Sequence, residues 1–108
     1  MIYTTEQIHK IVEPIAKKHS LPAVYLFGSY ARGTATEKSD VDLLVDTTGT
    51  AIKSLFDLGG LYADFEKAFN KSVDMVTLGA VMQKPQMPSD TDFREAVLRE
   101  RKKIYAVT

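Results

Sequence analysis

Apolar residues recur at helical spacing near the start of the chain. Ile8, Ile11, Val12, Ile15 and Ala16 share one face and predict an amphipathic helix over residues 4–19, capped by Thr4 or Thr5. Pro14 falls inside that pattern and predicts a kink. Ser20 to Pro22 break the helix. Ala23 to Phe27 then form a short apolar run ending at Gly28, the pattern of a buried strand. Residues 29–33 predict a turn or a single helical turn, and residues 34–39 a polar loop. A second strand follows at residues 41–46. Its apolar side chains, Val41, Leu43, Leu44 and Val45, fall on both faces, as strands covered on two sides require.

The second half of the chain predicts a helix over residues 51–69. Ile52, Leu55, Leu58, Leu61, Phe65 and Phe69 form its buried stripe. Gly59 and Gly60 weaken it by about 1 kcal/mol each relative to alanine. They mark either a close packing contact or a break between two shorter helices. Asn70 is a suitable C-terminal cap. Residues 73–78 read as a third strand. Residues 79–92 contain Gly79, Pro85 and Pro88 and read as an irregular, exposed loop. Residues 93–105 predict a last helix, buried through Phe93, Val97, Leu98 and Ile104. Lys102 and Lys103 would sit near its C-terminus, where the helix dipole favours cations. The order helix, strand, strand, helix, strand, helix predicts an α/β (α+β) fold: a small mixed β-sheet flanked by helices.

Composition narrows the function. The 108 residues are one domain's worth, 1–108. With 44% hydrophobic residues the chain should be globular. Fourteen basic and fourteen acidic residues give a formal net charge of zero. That argues against broad charge-driven binding, so no direct nucleic-acid binding is expected. The absence of cysteine excludes disulfides and thiolate metal sites and is compatible with the cytoplasm. The opening MIYTTEQIHK lacks the basic start and apolar run of a signal peptide. No apolar stretch approaches the roughly 20 residues that span a bilayer. A cytoplasmic protein without membrane association is the expectation.

The candidate chemistry lies in three acids on strands. Asp40 and Asp42 open the second strand. Residues two apart project from the same face of a strand, about 7 Å apart at the backbone. Two unpaired carboxylates this close repel, and a hard divalent ion relieves the repulsion. Asp74 stands in the third strand. If the second and third strands are neighbours, Asp74 completes an acid cluster suited to two-metal nucleotidyl transfer. Gly28 allows a ligand to approach the backbone, and Ser29 supplies a hydroxyl beside N–H groups that could receive phosphate. Arg32 could face the same phosphates, or be a surface or partner-contact residue. The competing readings are turn and strand-start roles for Asp40 and Asp42, and a salt-bridged strand acid for Asp74. Asp46 shares their parity but reads as a turn former. His9 and His19 read as surface histidines, and Tyr62 and Tyr105 as core or interface aromatics. Arg99, Arg101, Lys102 and Lys103 read as a solvated helix face.

Gly28-Ser29, then Asp40-Val41-Asp42, resembles the signature of the DNA polymerase beta-like nucleotidyltransferases. The fuller string GSYARGTATEKSDVDLLV is similar to the minimal nucleotidyltransferase branch, with the HEPN/MNT toxin–antitoxin pairs as its setting. LFDLGGLYADFEKAF, SVDMVT and FREAVLRERKKIY extend the resemblance over most of the chain. The resemblance implies the polymerase beta-like fold. It implies that Gly28 and Ser29 hold the triphosphate of ATP, the substrate. Asp40, Asp42 and Asp74 would be catalytic and would bind Mg2+, with Asp74 also placed to accept the proton of the attacking hydroxyl. It further implies an antitoxin that transfers AMP to a tyrosine of a HEPN-domain RNase toxin, its partner in a possible hetero-oligomer. The alternatives are an antitoxin that acts by binding alone, and transfer to a small molecule. A domain of this size lacks the extra wall that would enclose a small acceptor.

Overall fold

The computed structural model describes residues 2–81, 95–96 and 98–106. Its elements are α1 (Thr5–Lys18), β1 (Ala23–Phe27), α2 (Gly28–Arg32), β2 (Val41–Asp46), α3 (Leu55–Phe69), β3 (Val73–Thr77), α4 (Leu78–Val81) and β4 (Lys102–Ala106). Thr4 caps α1 in a reciprocal pair: the Gln7 N–H donates to the Thr4 hydroxyl at 3.1 Å, and the Thr4 N–H donates to the Gln7 side chain at 2.8 Å. Two of the orphan donors of a helix start are thereby satisfied. The helix runs without interruption through Pro14. Ser54 and Asp57 make the same reciprocal cap on α3, which fixes its start at Leu55. Asn70 ends α3 in the left-handed conformation, φ 52°, as its amide side chain favours.

The four strands lie in the order β3-β2-β1-β4. β1 is antiparallel to both β2 and β4, and β2 is parallel to β3. α3 is the crossover that a parallel pair needs. Alternation along the strands divides the sheet into two faces. Val24, Leu26, Val41, Leu43, Val45, Val73 and Ile104 turn to one face, where Ile8, Val12 and Ile15 of α1 and Leu61, Phe65 and Phe69 of α3 cover them. Phe27 and Leu44 turn to the other, with Tyr25, Val76, Leu78 and Leu98 packed around them. Asp42 and Asp74 have the parity of this second face, away from α1 and α3.

Three expectations need correction. The helix predicted over 93–105 holds at residues 95–96 and 98–100, but Lys102–Ala106 is a strand paired with β1. Leu98 packs on the second face, whereas Ile104 is buried in the main core on the first. No single helix could bury both. Lys102 and Lys103 therefore stand exposed on an edge strand, where lysine also discourages further strand pairing. The second correction concerns Leu55, which was assigned to the buried stripe of α3 and is 86% exposed. The first turn of α3 has no described neighbour to pack against, and burial begins in earnest at Leu61. The third concerns Gly59 and Gly60. They do not break α3, and among the described residues a Cβ at either would meet nothing within 4 Å. Residues 78–81 form a helical turn where the loop was expected to begin. Phe93, Val97 and the remainder of that loop lie outside the described residues. No described helix is long and apolar enough to cross a membrane.

Candidate active site

The site lies where β1 ends and β2 and β3 begin. Phe27, the last residue of β1, pairs with Asp42, and Asp42 pairs in parallel register with Asp74. Gly28 follows Phe27 with φ 71°, a conformation that side-chain-bearing residues rarely adopt. Its lack of a side chain has a second reason. A Cβ there would sit 2.1 Å from Oδ2 of Asp42. The Gly28 backbone thus lies directly against the Asp42 carboxylate, and only glycine fits. Ser29 is half-buried at the start of α2. The short α2 ends at Gly33, also left-handed, and the Thr34 N–H donates back to the Ser29 carbonyl at 2.9 Å.

The carboxylates differ in depth. Asp42 is half-buried, and Asp40 and Asp74 are exposed. Burial pushes the Asp42 pKa up to about 6, and the negative charges of Asp74 and Asp40 push in the same direction. Arg32 opposes them. The three acids predicted from the sequence therefore do share one electrostatic environment, and Arg32 reaches it. Its guanidinium is engaged with Glu100, Nη1 to Oε2 at 3.0 Å, on the helical segment before β4. Asp46 is apart from this group and makes the expected turn, accepting from the Thr48 N–H at 2.9 Å.

The donor set suits a hard cation: carboxylate oxygens that repel one another and that the Arg32 charge offsets only in part. Among the described residues, however, no three acids or imidazoles are close enough to enclose a metal ion by themselves. A magnesium ion held by Asp40 and Asp42, with Asp74 beside them, would draw its remaining ligands from water and substrate phosphates, which is its usual habit.

Two residues near the site carried no functional signal in the sequence. The Tyr62 phenol of α3 donates to the carbonyl of Val73, the residue before Asp74. Burial raises the Tyr62 pKa, and the negative charges of Glu66, Asp74 and Asp40 add to the rise. Lys71 donates to the Tyr30 hydroxyl and to the Glu37 carbonyl, both at 3.2 Å. The only clue to Lys71 was its position between the α3 cap and Asp74. The histidines are better connected than surface residues. His9 contacts Glu13 at 3.2 Å and the Ile104 carbonyl at 2.6 Å, and His19 contacts Asp64 at 2.7 Å. Hydrogen bonds to His19 and Lys18 hold the Asp64 carboxyl below its ordinary pKa.

The family model "Polymerase beta, Nucleotidyltransferase" matches residues 9–107. A relative from Methanocaldococcus jannaschii, named as a protein adenylyltransferase, is 39% identical over 75 residues, covering 69% of this chain and 78% of that protein. The solved structure of a minimal nucleotidyltransferase superposes with a TM-score of 0.68 at 31% identity, covering 93% of this chain and 95% of that one. The complex of a tri-AMPylated HEPN toxin with its MNT antitoxin from Shewanella oneidensis shares the fold, with a TM-score of 0.58 at 22% identity over 95% of this chain and 70% of that one. With Gly28-Ser29 and the paired aspartates at the head of β2 in place, the chain belongs to the polymerase beta nucleotidyltransferase family. It is a nucleotidyltransferase with the small mixed sheet of the minimal branch.

Proposed function

We propose that this chain transfers AMP from ATP to a hydroxyl of a protein partner, a tyrosine of a HEPN-domain toxin, and thereby acts as its antitoxin. The observation that carries the reading is the pairing of Asp42 with Asp74 in adjacent strands, against Gly28, with the Asp42 pKa raised to about 6. A half-buried carboxylate with two further acids beside it is suited to receive a cation. The protein acceptor is supported by the name of the archaeal relative and by the AMPylated toxin in the Shewanella complex.

The proposed roles follow from position. Gly28 and Ser29 hold the triphosphate, Ser29 through its hydroxyl and both through their backbone N–H groups. Asp40 and Asp42 would hold magnesium, which supplies charge neutralisation on the triphosphate when bound. Arg32 offers a further positive charge to the phosphates once released from Glu100. Asp74 is exposed on the edge strand beside Asp42, where an incoming hydroxyl can reach it. It takes the hydroxyl proton as the acceptor oxygen bonds to the α-phosphorus. The bond from that phosphorus to the bridging oxygen breaks, and pyrophosphate leaves with the electron pair.

The open arrangement of the three acids also favours a second reading, neutralisation by binding alone. Intact-mass spectrometry separates the two. The protein is mixed with ATP, magnesium and a HEPN-type partner, alongside an Asp40→Ala/Asp42→Ala control. One or more AMP additions on the partner, absent with the control, are expected. A stable complex without mass increase would replace transfer by binding.

A further inference from the structure

We infer that Lys71 is a positioning residue of this site: its ammonium ties the turn that presents Asp40 to α2, and so sets where Asp40 stands relative to Gly28 and Asp42. Lys71 follows the α3 cap at Asn70 and is half-buried. One N–H donates to the hydroxyl of Tyr30 and another to the carbonyl of Glu37, each at 3.2 Å. The ammonium also lies 5.5 Å from the centre of the Tyr30 ring, within the range of a cation–π contact. Tyr30 is itself only 7% exposed, packed in the main core, so it is a fixed anchor. It is the direct neighbour of Ser29.

The other end of the tie is a turn that is closed on itself. The Thr36 N–H donates to the Ser39 hydroxyl at 2.8 Å, and the Ser39 N–H donates to the Thr36 carbonyl at 3.0 Å. These bonds shape the turn but do not attach it to the fold. Ahead of the turn, Thr34 bonds back to the Ser29 carbonyl and Ala35 packs at the margin of the core; within residues 36–39 themselves, the described hydrogen bond to another part of the fold is the one from Lys71 to Glu37. Asp40 lies three residues beyond. On its far side Val41 is held by β3, its N–H donating to the Ser72 carbonyl at 3.1 Å. Asp40 is thus suspended between one strand and one lysine. Because the same ammonium holds Tyr30, the triphosphate-binding segment and the metal-binding segment move as one piece. Small misplacements of reacting groups carry large rate penalties, and that is where loss of the tie should register.

The inference rests on the transfer reading above, and its test has a part that does not. Amide hydrogen exchange of residues 34–40 is measured in the free wild-type, Lys71→Met and Lys71→Arg proteins, together with kcat and KM for ATP in AMP transfer. Methionine keeps the length and loses both hydrogen bonds, and arginine keeps charge and donors. Faster exchange in 34–40 is expected for Lys71→Met, with α1 and β1 unchanged. Its kcat should fall by about ten- to a hundredfold, with little change in KM, and Lys71→Arg should recover most of both effects. An undisturbed turn in Lys71→Met overturns the inference, and so does a loosened turn with normal kcat. A wild-type protein with no transfer activity would instead remove the transfer reading and the catalytic part of this one, an outcome distinct from either.

Discussion

The Asp42 carboxyl lies against Gly28 in the lower, half-buried part of the site, with a pKa of about 6 caused first by burial and then by Asp74 and Asp40. Its ordinary value is 3.8, so the folded state holds this proton more tightly than the unfolded chain does. The resulting stabilisation is fully present below 3.8 and is lost as pH rises through about 6. Above that, folding confines a charge that the site does not by itself compensate. Asp42→Asn keeps the shape and removes the charge. It is expected to be more stable than wild type by about 1 kcal/mol at pH 7.5, discounted from the roughly 3 kcal/mol of a two-unit shift because solvent reaches the group. The difference should shrink toward pH 5. Urea denaturation of both proteins at the two pH values measures it, and an asparagine variant no more stable at pH 7.5 would show that the carboxylate is not strained. That Asp40 and Asp42 would share a face was legible from alternation on the predicted strand; Asp74 joins them because β2 and β3 pair in parallel, which the sequence left as a condition. Their unequal depth was not legible, because Asp42 lies against Gly28, at the start of α2 and fourteen residues earlier. Nor were Tyr62 and Lys71, whose contacts with Val73, Glu37 and Tyr30 join positions 11, 34 and 41 residues apart.

At the scale of elements, local patterns settle boundaries well and distant pairing poorly. β1 and β2 were legible because each is a short apolar run bounded by glycine or polar loop residues. The end of α3 was legible from Asn70. β4 was not, because Ile104 lies seven residues after Val97 in the sequence, a helical spacing as good as the strand pattern it also fits. What decides between them is β1, some eighty residues earlier, whose free edge β4 completes. A register shift between Val24 and Tyr25 adds to the difficulty, since it breaks the alternation that a strand would show. The glycines of α3 give a test at this scale. Gly59 and Gly60 are exposed and helical, and among the described residues a Cβ at either would meet nothing within 4 Å. Neither glycine has a positive φ. Alanine at each should therefore stabilise the protein by roughly 0.5–1 kcal/mol, read as a higher denaturation midpoint with unchanged transfer activity. A lower midpoint would mean that the two glycines serve a contact beyond the described residues.

At the scale of the whole molecule, the carboxylates mark one end of the sheet and the start of α3 the other. Gly28, Asp40, Asp42 and Asp74 gather where β1 ends and β2 and β3 begin, on the side of the sheet away from α1 and α3. α3 starts at the other end, beyond Asp46, about 13 Å along β2 from Asp42 at ordinary strand rise. There Leu55 and Phe56 stand 86% and 92% exposed. Two apolar side chains so open to water contribute little to the fold, and surface changes of this kind usually shift stability by no more than about 0.5 kcal/mol. If the acceptor protein approaches the carboxylate end, these residues should be equally irrelevant to transfer. Leu55→Ser/Phe56→Ser is therefore expected to keep the wild-type denaturation midpoint and the wild-type kcat/KM for the protein acceptor. Steady-state transfer at subsaturating acceptor measures the second quantity directly. A fall of about tenfold, with the midpoint intact, would correspond to about 1.4 kcal/mol of lost recognition and would place the acceptor against the start of α3. The acceptor would then span the length of the sheet, with the carboxylates engaging only one end of it.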